Sequence, residues 1–290
     1  MFDNIFAAIE KWMRELLTGM VESNMSTMFT DVNEKTSEIA AQVGRTPQNW
    51  NSSVFSMIQN VSESVVVPIA GIIITLVLCY ELISMLTERN NLHDVDTWMF
   101  FKYFVKAWVA IYLVSNTFTI TMAVFDVGQS VVNSASGIIN GETAIDVSSL
   151  SMQMQAAMAT MEIGELVVLA LETFLVSFCM KIMSVVITVI VYGRMIEIYL
   201  YTSLAPIPFA TMSNREWGHV GTNYFRGLFA LAFQAFLMMV CVAIYAALIS
   251  SVRISSNMHS ALIGVAAYTV ILCFSLMKTG SLSKQIFGSH

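Results

Sequence analysis

The chain has 290 residues, of which 56% are hydrophobic and 12% are charged, and its net charge at pH 7 is −6. Its mean hydropathy of +0.69 is too high for an ordinary soluble domain, so the composition indicates an integral membrane protein. The acidic balance excludes a basic surface of the kind that holds nucleic acid by its phosphates.

The first twenty residues have the pattern of an amphipathic helix, with apolar side chains at intervals of three and four positions. These apolar residues include Phe2, Phe6, Trp12 and Leu16. Such a helix lies at a membrane interface or packs on a partner subunit, and the pattern allows both. A second helix is predicted to end at Gly44, and Thr46-Pro47 has the form of an N-cap followed by a first-turn proline. We predict that residues 1–64 form a helical region outside the membrane.

Five apolar runs are long enough to cross about 30 Å of hydrocarbon at about 1.5 Å per residue. They cover residues 65–86, 107–125, 163–192, 228–250 and 261–277. The third run is long, and no residue near Lys181 favours a turn, so we predict one continuous helix there. The fold class is therefore all-α: a polytopic membrane protein in which residues 65–290 form a single transmembrane domain.

The distribution of basic residues predicts the orientation of these helices. Residues 107–180 contain no Lys or Arg, which is typical of a translocated segment, so the loop 126–162 is predicted to face outward. Part of this loop has a methionine-rich helical face that contains Met154, Met158 and Met161. Because methionine adapts its shape to a contact, we predict that this face meets a partner or a sister subunit. The alternative is that the helix rests on the bilayer or on the helix bundle.

The apolar piece 195–212 contains Pro206 and Pro208, which remove two helix donors and prevent a regular helix from continuing. If this piece enters and leaves on the same side, almost all basic residues near the spans fall on one face, and only Arg253 lies in a short loop on the other. Positive-inside counting therefore predicts a re-entrant or interfacial segment on the cytoplasmic side. It also predicts an outer N-terminus and a cytoplasmic C-terminus.

Two groups of residues are candidates for a functional site. Glu172 lies within the third span, where an ionisable side chain is costly, so we predict that it faces a water-filled lumen or a sister subunit. The alternative is that Glu172 snorkels to a surface. The region 193–247 is the predicted structural centre, because it combines the broken segment, a polar inner loop and small residues that allow close helix packing. Its candidate residues are Gly193, Pro206, Pro208, Trp217, Gly218 and Gln234.

No catalytic motif stands out in the sequence. It contains no phosphate-binding loop, no His-Glu-x-x-His and no Gly-x-Ser-x-Gly. The four cysteines lie in apolar runs and the four histidines are scattered, so no metal site is predicted. We predict no catalytic residue, no cofactor and no enzyme activity.

Four segments resemble the TrbL-like polytopic subunits of conjugal transfer, or type IV secretion, machines, most closely those of Gram-positive mobile elements. The segments are Tyr192-Gly-Arg-Met-Ile-Glu197, Leu204-Ala-Pro-Ile-Pro-Phe209, Asn214-Arg-Glu-Trp-Gly218 and Phe229-Ala-Leu-Ala-Phe-Gln234. The resemblance implies a homo-oligomeric ring in the bacterial cytoplasmic membrane, which works beside ATPases, a coupling protein and other membrane subunits. It also implies that single-stranded DNA with its relaxase, or protein, is the passing substrate.

We therefore expect a non-catalytic channel or scaffold subunit of a conjugation machine. One alternative is a secondary transporter, but transporters usually show two repeated halves around a mid-membrane site, and this chain shows an odd number of spans and no repeat. The other alternative is a purely structural anchor that stages assembly, which the sequence does not separate from a channel.

Overall fold

A computed structural model describes residues 2–87, 97–139, 147–252 and 258–289, and it describes no side chains for 2–4, 136–139 and 147–150. Arg253 and residues 140–146 of the predicted outer loop lie outside these ranges. The helices are α1 (Phe2–Val43), α2 (Pro47–Trp50), α3 (Ser52–Val61), α4 (Val67–Thr87), α5 (Thr97–Ser115), α6 (Thr117–Ile139), α7 (Val147–Met158), α8 (Ile163–Ser203), α9 (Pro206–Thr211), α10 (Gly218–Ser250) and α11 (Met258–Ile286). The structure is 91% helical, and the described residues contain no strand. The predicted all-α class is confirmed.

The N-terminal region begins with one long helix rather than two. Helix α1 is continuous because residues 21–24, which join the two predicted helices, contain neither proline nor glycine. Its end at Val43, just before Gly44, agrees with the prediction. Thr46 caps α2 as predicted: its Oγ1 accepts a hydrogen bond from the backbone N–H of Asn49 at 3.3 Å, and Pro47 occupies the first turn. A π-helical turn, Ser62–Val66, joins α3 to α4.

Among the described residues, five helical segments are long and apolar enough to cross a membrane, by length and composition: Ser52–Thr87, Thr97–Ser115, Ile163–Ser203, Gly218–Ser250 and Met258–Ile286. The second differs from the predicted run 107–125, because that run is divided at Asn116. The side-chain amide of Asn116 donates from Nδ2 to Tyr112 O at 2.9 Å, and the hydroxyl of Thr117 donates to Leu113 O at 2.8 Å. Side chains that bond back to helix carbonyls compete with the regular ladder, so α5 ends and α6 begins at this point.

Helix α8 is continuous through Lys181, as predicted, and it extends beyond the predicted span to Ser203. The first half of the piece 195–212 therefore belongs to α8, and only α9 is a separate helix. The placement of this piece relative to a membrane stays a prediction.

The chain folds into two compact units. Unit 1 contains Met1–Val43, Ser134–Val191 and Met238–Lys278, and unit 2 contains Gly44–Asn133, Tyr192–Leu237 and Thr279–His290. In unit 1, α1 packs along α8 with both helices running in the same direction. Asn24 Nδ2 donates to Thr173 Oγ1 at 3.4 Å, and Lys35 Nζ donates to Thr188 Oγ1 at 3.3 Å.

From residue 21 onward, α1 has an apolar inner side and a polar outer side. The buried side chains are Val21, Met25, Met28, Phe29, Val32, Ile39 and Val43. The exposed positions at the same level are mostly hydroxyl residues: Ser23, Ser26, Thr27, Thr30 and Ser37. This pattern is typical of a helix that covers an apolar bundle on one side and meets water on the other.

In unit 2, α4 and α5 pack against each other. Tyr103 donates its hydroxyl to Leu78 O at 3.0 Å, and Lys106 Nζ donates to Glu81 Oε1 at 2.5 Å. Glu81 is thus paired within the chain. One core cluster of unit 2 forms where these two helices meet α9.

Candidate functional site: the Pro-x-Pro hub

The broken segment forms the centre of unit 2. Helix α8 ends at Ser203, and α9 begins at Pro206. Pro206 and Pro208 are the first and third residues of α9, where a helix has no carbonyl to pair with the N–H groups that proline lacks. The two prolines therefore end one helix and open the next without loss of a hydrogen bond. The Pro-x-Pro hub, as we call it, consists of residues 204–217, which include α9, and of the side chains that contact them.

Helix α9 is held by the α4–α5 pair. Phe209 and Ala210 are 2% and 0% exposed, and they pack in one apolar cluster with residues of both helices. The partners in this cluster are Ala70, Ile74, Leu78, Ala110 and Val114. A helix of six residues has little stability of its own, so this burial is what fixes it in place.

The polar turn after α9 is fixed by one asparagine. Asn214 is 3% exposed, and its Oδ1 accepts hydrogen bonds from the N–H groups of Glu216 at 2.7 Å and Trp217 at 3.0 Å. Its Nδ2 donates to Glu81 of α4 at 3.5 Å. Tyr80 adds a second tie from α4, because it stacks on Trp217 at 5.7 Å and donates its hydroxyl to Glu216 at 3.0 Å.

Two glycines allow α10 to start against α9. A Cβ at Gly218 would lie 3.2 Å from Met212 O, and a Cβ at Gly221 would lie only 2.4 Å from Pro208 O. The backbone of α10 thus touches the backbone of the hub. Of the predicted candidates, Gly218 and Pro208 lie in this contact, and Trp217 and Pro206 belong to the same hub.

A tyrosine pair joins α8 to α10 beside the hub. Tyr201 and Tyr224 stack with ring centres 4.5 Å apart. Tyr224 donates its hydroxyl to Tyr201 O at 2.7 Å, and Tyr201 donates to Tyr224 O at 3.4 Å. Gly227 makes this possible, because a Cβ there would lie 2.1 Å from the hydroxyl of Tyr201.

Two of the predicted hub candidates lie elsewhere. Gly193 is exposed and has no atom within 4 Å of the position of a Cβ, so no close contact requires a glycine there. Gln234 is buried and its Nε2 donates to Thr279 Oγ1 at 3.4 Å. Positive-inside counting does not predict the position of Arg194, which is 7% exposed, with Nη2 donating to Leu231 O.

In unit 1, Glu172 has a partner within the chain. Its carboxylate is hydrogen-bonded to His259 Nδ1, and both side chains are about a third exposed. The exposed part is compatible with the predicted lumen or interface role, which stays a prediction. A hydrogen-bonded partner within the chain distinguishes Glu172 from a side chain that extends alone to a membrane surface.

The methionine-rich face of α7 is turned toward the protein. Met154 and Met158 are 2% and 1% exposed, and α7 packs on α1. Gln155 Nε2 donates to Glu22 of α1 at 2.7 Å. The structure therefore does not support the predicted contact of Met154 and Met158 with another chain. It supports the alternative, in which α7 rests on the helix bundle. Met161 is half-buried, and its carbonyl accepts a hydrogen bond from Arg14 at 2.8 Å.

The apolar side of the first turns of α1 is exposed in this chain. Phe6, Trp12 and Leu16 are 67%, 62% and 44% exposed, and the side chain of Phe2 lies outside the described residues. The interface and partner-contact predictions for this side both remain predictions. Within the described part of the chain, no group of three His, Cys, Asp or Glu residues is placed to hold a metal ion.

These features define a polytopic, all-helical membrane protein in which candidate spans enclose a short broken helix. Residues 32–206 match the family described as TrbL/VirB6 plasmid conjugal transfer like protein. Because the match covers more than half of the chain, the protein belongs to this family, and the resemblance seen in the sequence is confirmed. No curated protein and no solved structure matches the chain.

Proposed function

We propose that this protein is a non-catalytic channel or scaffold subunit of a conjugative type IV secretion machine. It helps single-stranded DNA with its relaxase, or protein, to cross the bacterial cytoplasmic membrane. The observation that carries the proposal is the Pro-x-Pro hub, in which a broken helix is enclosed by α4 and α5, both of which belong to segments long and apolar enough to span. That the process is conjugal transfer is inferred from membership of this family.

The physical argument concerns the backbone of the broken segment. Backbone that leaves a regular helix inside a membrane must be buried in protein or border water, because lipid cannot bond its polar groups. The hub meets the first condition, since Ala205, Pro206, Phe209 and Ala210 are buried. A simple anchor needs no such segment, because continuous helices insert without one. The hub therefore favours a subunit that shapes a passage or holds one open.

We propose that the N-terminus lies outside and the C-terminus in the cytoplasm, with residues 126–162 outside and 195–212 at the cytoplasmic side. Helix α8 has 41 residues and is about 60 Å long, roughly twice the thickness of the hydrocarbon. Its first turns stand above the bilayer, or the helix tilts. Residues 1–64 then lie beside the predicted span 163–192, because α1 packs along residues 173–188 and Tyr199 donates its hydroxyl to Pro47 O at 2.6 Å.

We propose that copies of the protein assemble as a homo-oligomeric ring that binds other membrane subunits and ATPases of the machine. In the half covered by α1, α8 exposes a row of large apolar side chains, of which Leu171, Phe174 and Phe178 are 61%, 57% and 58% exposed. We propose that a sister copy packs against this row. Glu172 lies in the same turn of α8, so the predicted interface role fits this position.

Thiol labelling tests the orientation. In a variant without the four native cysteines, we expect a cysteine at Gln153 or Thr30 to react with an impermeant maleimide added to intact cells. A cysteine at Arg215 should react only after the membrane is opened. All three positions are exposed in the structure, so labelling reports the side of the membrane, and the reverse pattern would refute the orientation.

The hub is tested by Pro206→Leu combined with Pro208→Leu. We expect conjugal transfer to fall at least tenfold while the protein remains in the membrane at its normal level. Ile207→Leu, between the two prolines, is the matched control and should transfer normally. Normal transfer by the double variant would remove the hub from the mechanism. Loss of the protein from the membrane would favour the anchor over the channel.

A further inference from the structure

We propose that unit 2 encloses a bound water molecule that bridges Arg194 of α8 and Gln234 of α10. The site is internal and separate from the Pro-x-Pro hub. Its role is to let a charged guanidinium remain between helices without a carboxylate bonded to it.

The first observation is a pair of unpaired polar atoms. Arg194 and Gln234 are both 7% exposed, and Arg194 Nε and Gln234 Oε1 have no hydrogen-bond partner among the residues that the structure describes. The other atoms of both side chains are used: Arg194 donates to Leu231 O and to Met195 Sδ, and Gln234 donates to Thr279. A buried polar atom without a partner is costly, and such atoms are usually satisfied by ordered water.

The second observation is that both side chains lie at the same turn of α10. Leu231 O accepts the hydrogen bond of Arg194 at 3.3 Å, and Gln234 follows three residues later on α10. In an α-helix, the side chain at position i+3 starts beside the carbonyl of residue i, which is why serine and threonine can bond back to it. The amide of Gln234 is also held from the side of α11, because a Cβ at Gly280 would lie 3.2 Å from its Nε2.

The chemistry of the two atoms selects water. Arg194 Nε–H is a donor and Gln234 Oε1 is an acceptor. A water molecule satisfies both, because it accepts from the first and donates to the second. An anion would satisfy the arginine and would be repelled by the amide oxygen. Glu197, one turn from Arg194, lies near enough to attract the guanidinium, but its carboxylate accepts from Lys284 at 3.0 Å and leaves Arg194 Nε without a partner.

A double-mutant cycle on the full-length protein in detergent tests the bridge. We expect Arg194→Met and Gln234→Leu each to lower the melting temperature by several degrees. The melting temperature of the double variant should fall by clearly less than the sum of the two single shifts, because either substitution alone already removes the bridge. Additive shifts would overturn the proposal.

Gln234→Glu gives a test of opposite signs. If the side chain shares a water with Arg194, the new carboxylate compensates the guanidinium, and the melting temperature should stay equal to that of the wild type or rise. If the Gln234 side chain does not share a water with Arg194, the substitution buries an unpaired charge, and the melting temperature should fall sharply. Gln153→Glu, on the exposed side of α7, is the control and should change little.

Two measurements on the unmodified protein keep the proposal testable if the variants do not fold. A cryo-EM map that resolves ordered water should show density within hydrogen-bond distance of both Arg194 Nε and Gln234 Oε1, and an empty space there would overturn the proposal. Replacement of chloride by gluconate at constant ionic strength should leave the melting temperature unchanged. A clear dependence on chloride would assign the site to an anion instead.

Discussion

Gly221→Ala tests whether the contact between α10 and α9 holds the hub together. Gly221 is buried in the first turn of α10, and a Cβ there would lie 2.1 Å from Met212 Cγ and 2.4 Å from Pro208 O. The methionine side chain can rotate away. The carbonyl cannot, because it belongs to the backbone of α9 and accepts a hydrogen bond from Thr211 Oγ1 at 2.8 Å. The two helices must therefore separate by about 1 Å to reach ordinary van der Waals contact.

The magnitude follows from two opposing effects. Overpacking of this kind costs about 1–3 kcal/mol, while alanine gains up to about 1 kcal/mol over glycine as a helix former. We expect a net loss of about 1–2 kcal/mol in the free energy of unfolding. For a chain of this size, that loss corresponds to a fall of roughly 2–8 °C in the melting temperature.

The measurement is the fraction of protein that remains monodisperse on size exclusion after heating in detergent. Gly193→Ala is the matched control, because Gly193 lies inside α8 with nothing within 4 Å of the position of a Cβ. It should be neutral or stabilise by up to about 1 kcal/mol. If Gly221→Ala is as stable as Gly193→Ala, the close approach of α10 to the hub does not exist as described.

The same assay checks two further contacts. Asn214→Ala removes the acceptor of two backbone N–H groups and the donor to Glu81. We therefore expect a loss of about 1–3 kcal/mol in the free energy of unfolding. Asn214→Asp, which keeps the acceptor, should lose less. Tyr224→Phe keeps the ring stack but removes the hydroxyl that donates to Tyr201 O at 2.7 Å, so we expect a loss of about 0.5–1.5 kcal/mol; a larger loss would mean that the hydroxyl has a partner beyond Tyr201.

Features that depend on neighbouring residues could be predicted from the sequence. Pro206 and Pro208 end α8 and open α9 because the pyrrolidine ring acts on its own backbone and on the preceding turn. Thr46 caps α2 for a similar reason, since the acceptor and the N–H that it bonds are three residues apart. The continuity of α8 through Lys181 also follows from local composition.

Features that depend on packing between distant segments could not be predicted in this way. The spacing of Met154 and Met158 identifies a helix face but not which surface covers it, and the structure covers it within unit 1. A basic residue near a span end is usually a cytoplasmic charge, and this rule does not predict the burial of Arg194. Its burial depends on Leu231, which is close in space but distant along the chain.

The sequence by itself determined an all-helical membrane protein with a broken segment after its third long apolar run, because hydrophobic length and proline act through local physics. The family came from the resemblance of four short segments to conjugal transfer proteins. Only the tertiary structure decided what encloses that segment. The contacts of α9 with α4, α5 and α10 depend on side-chain shape and on the absence of a Cβ at Gly221, and neither leaves a periodic signal in the chain.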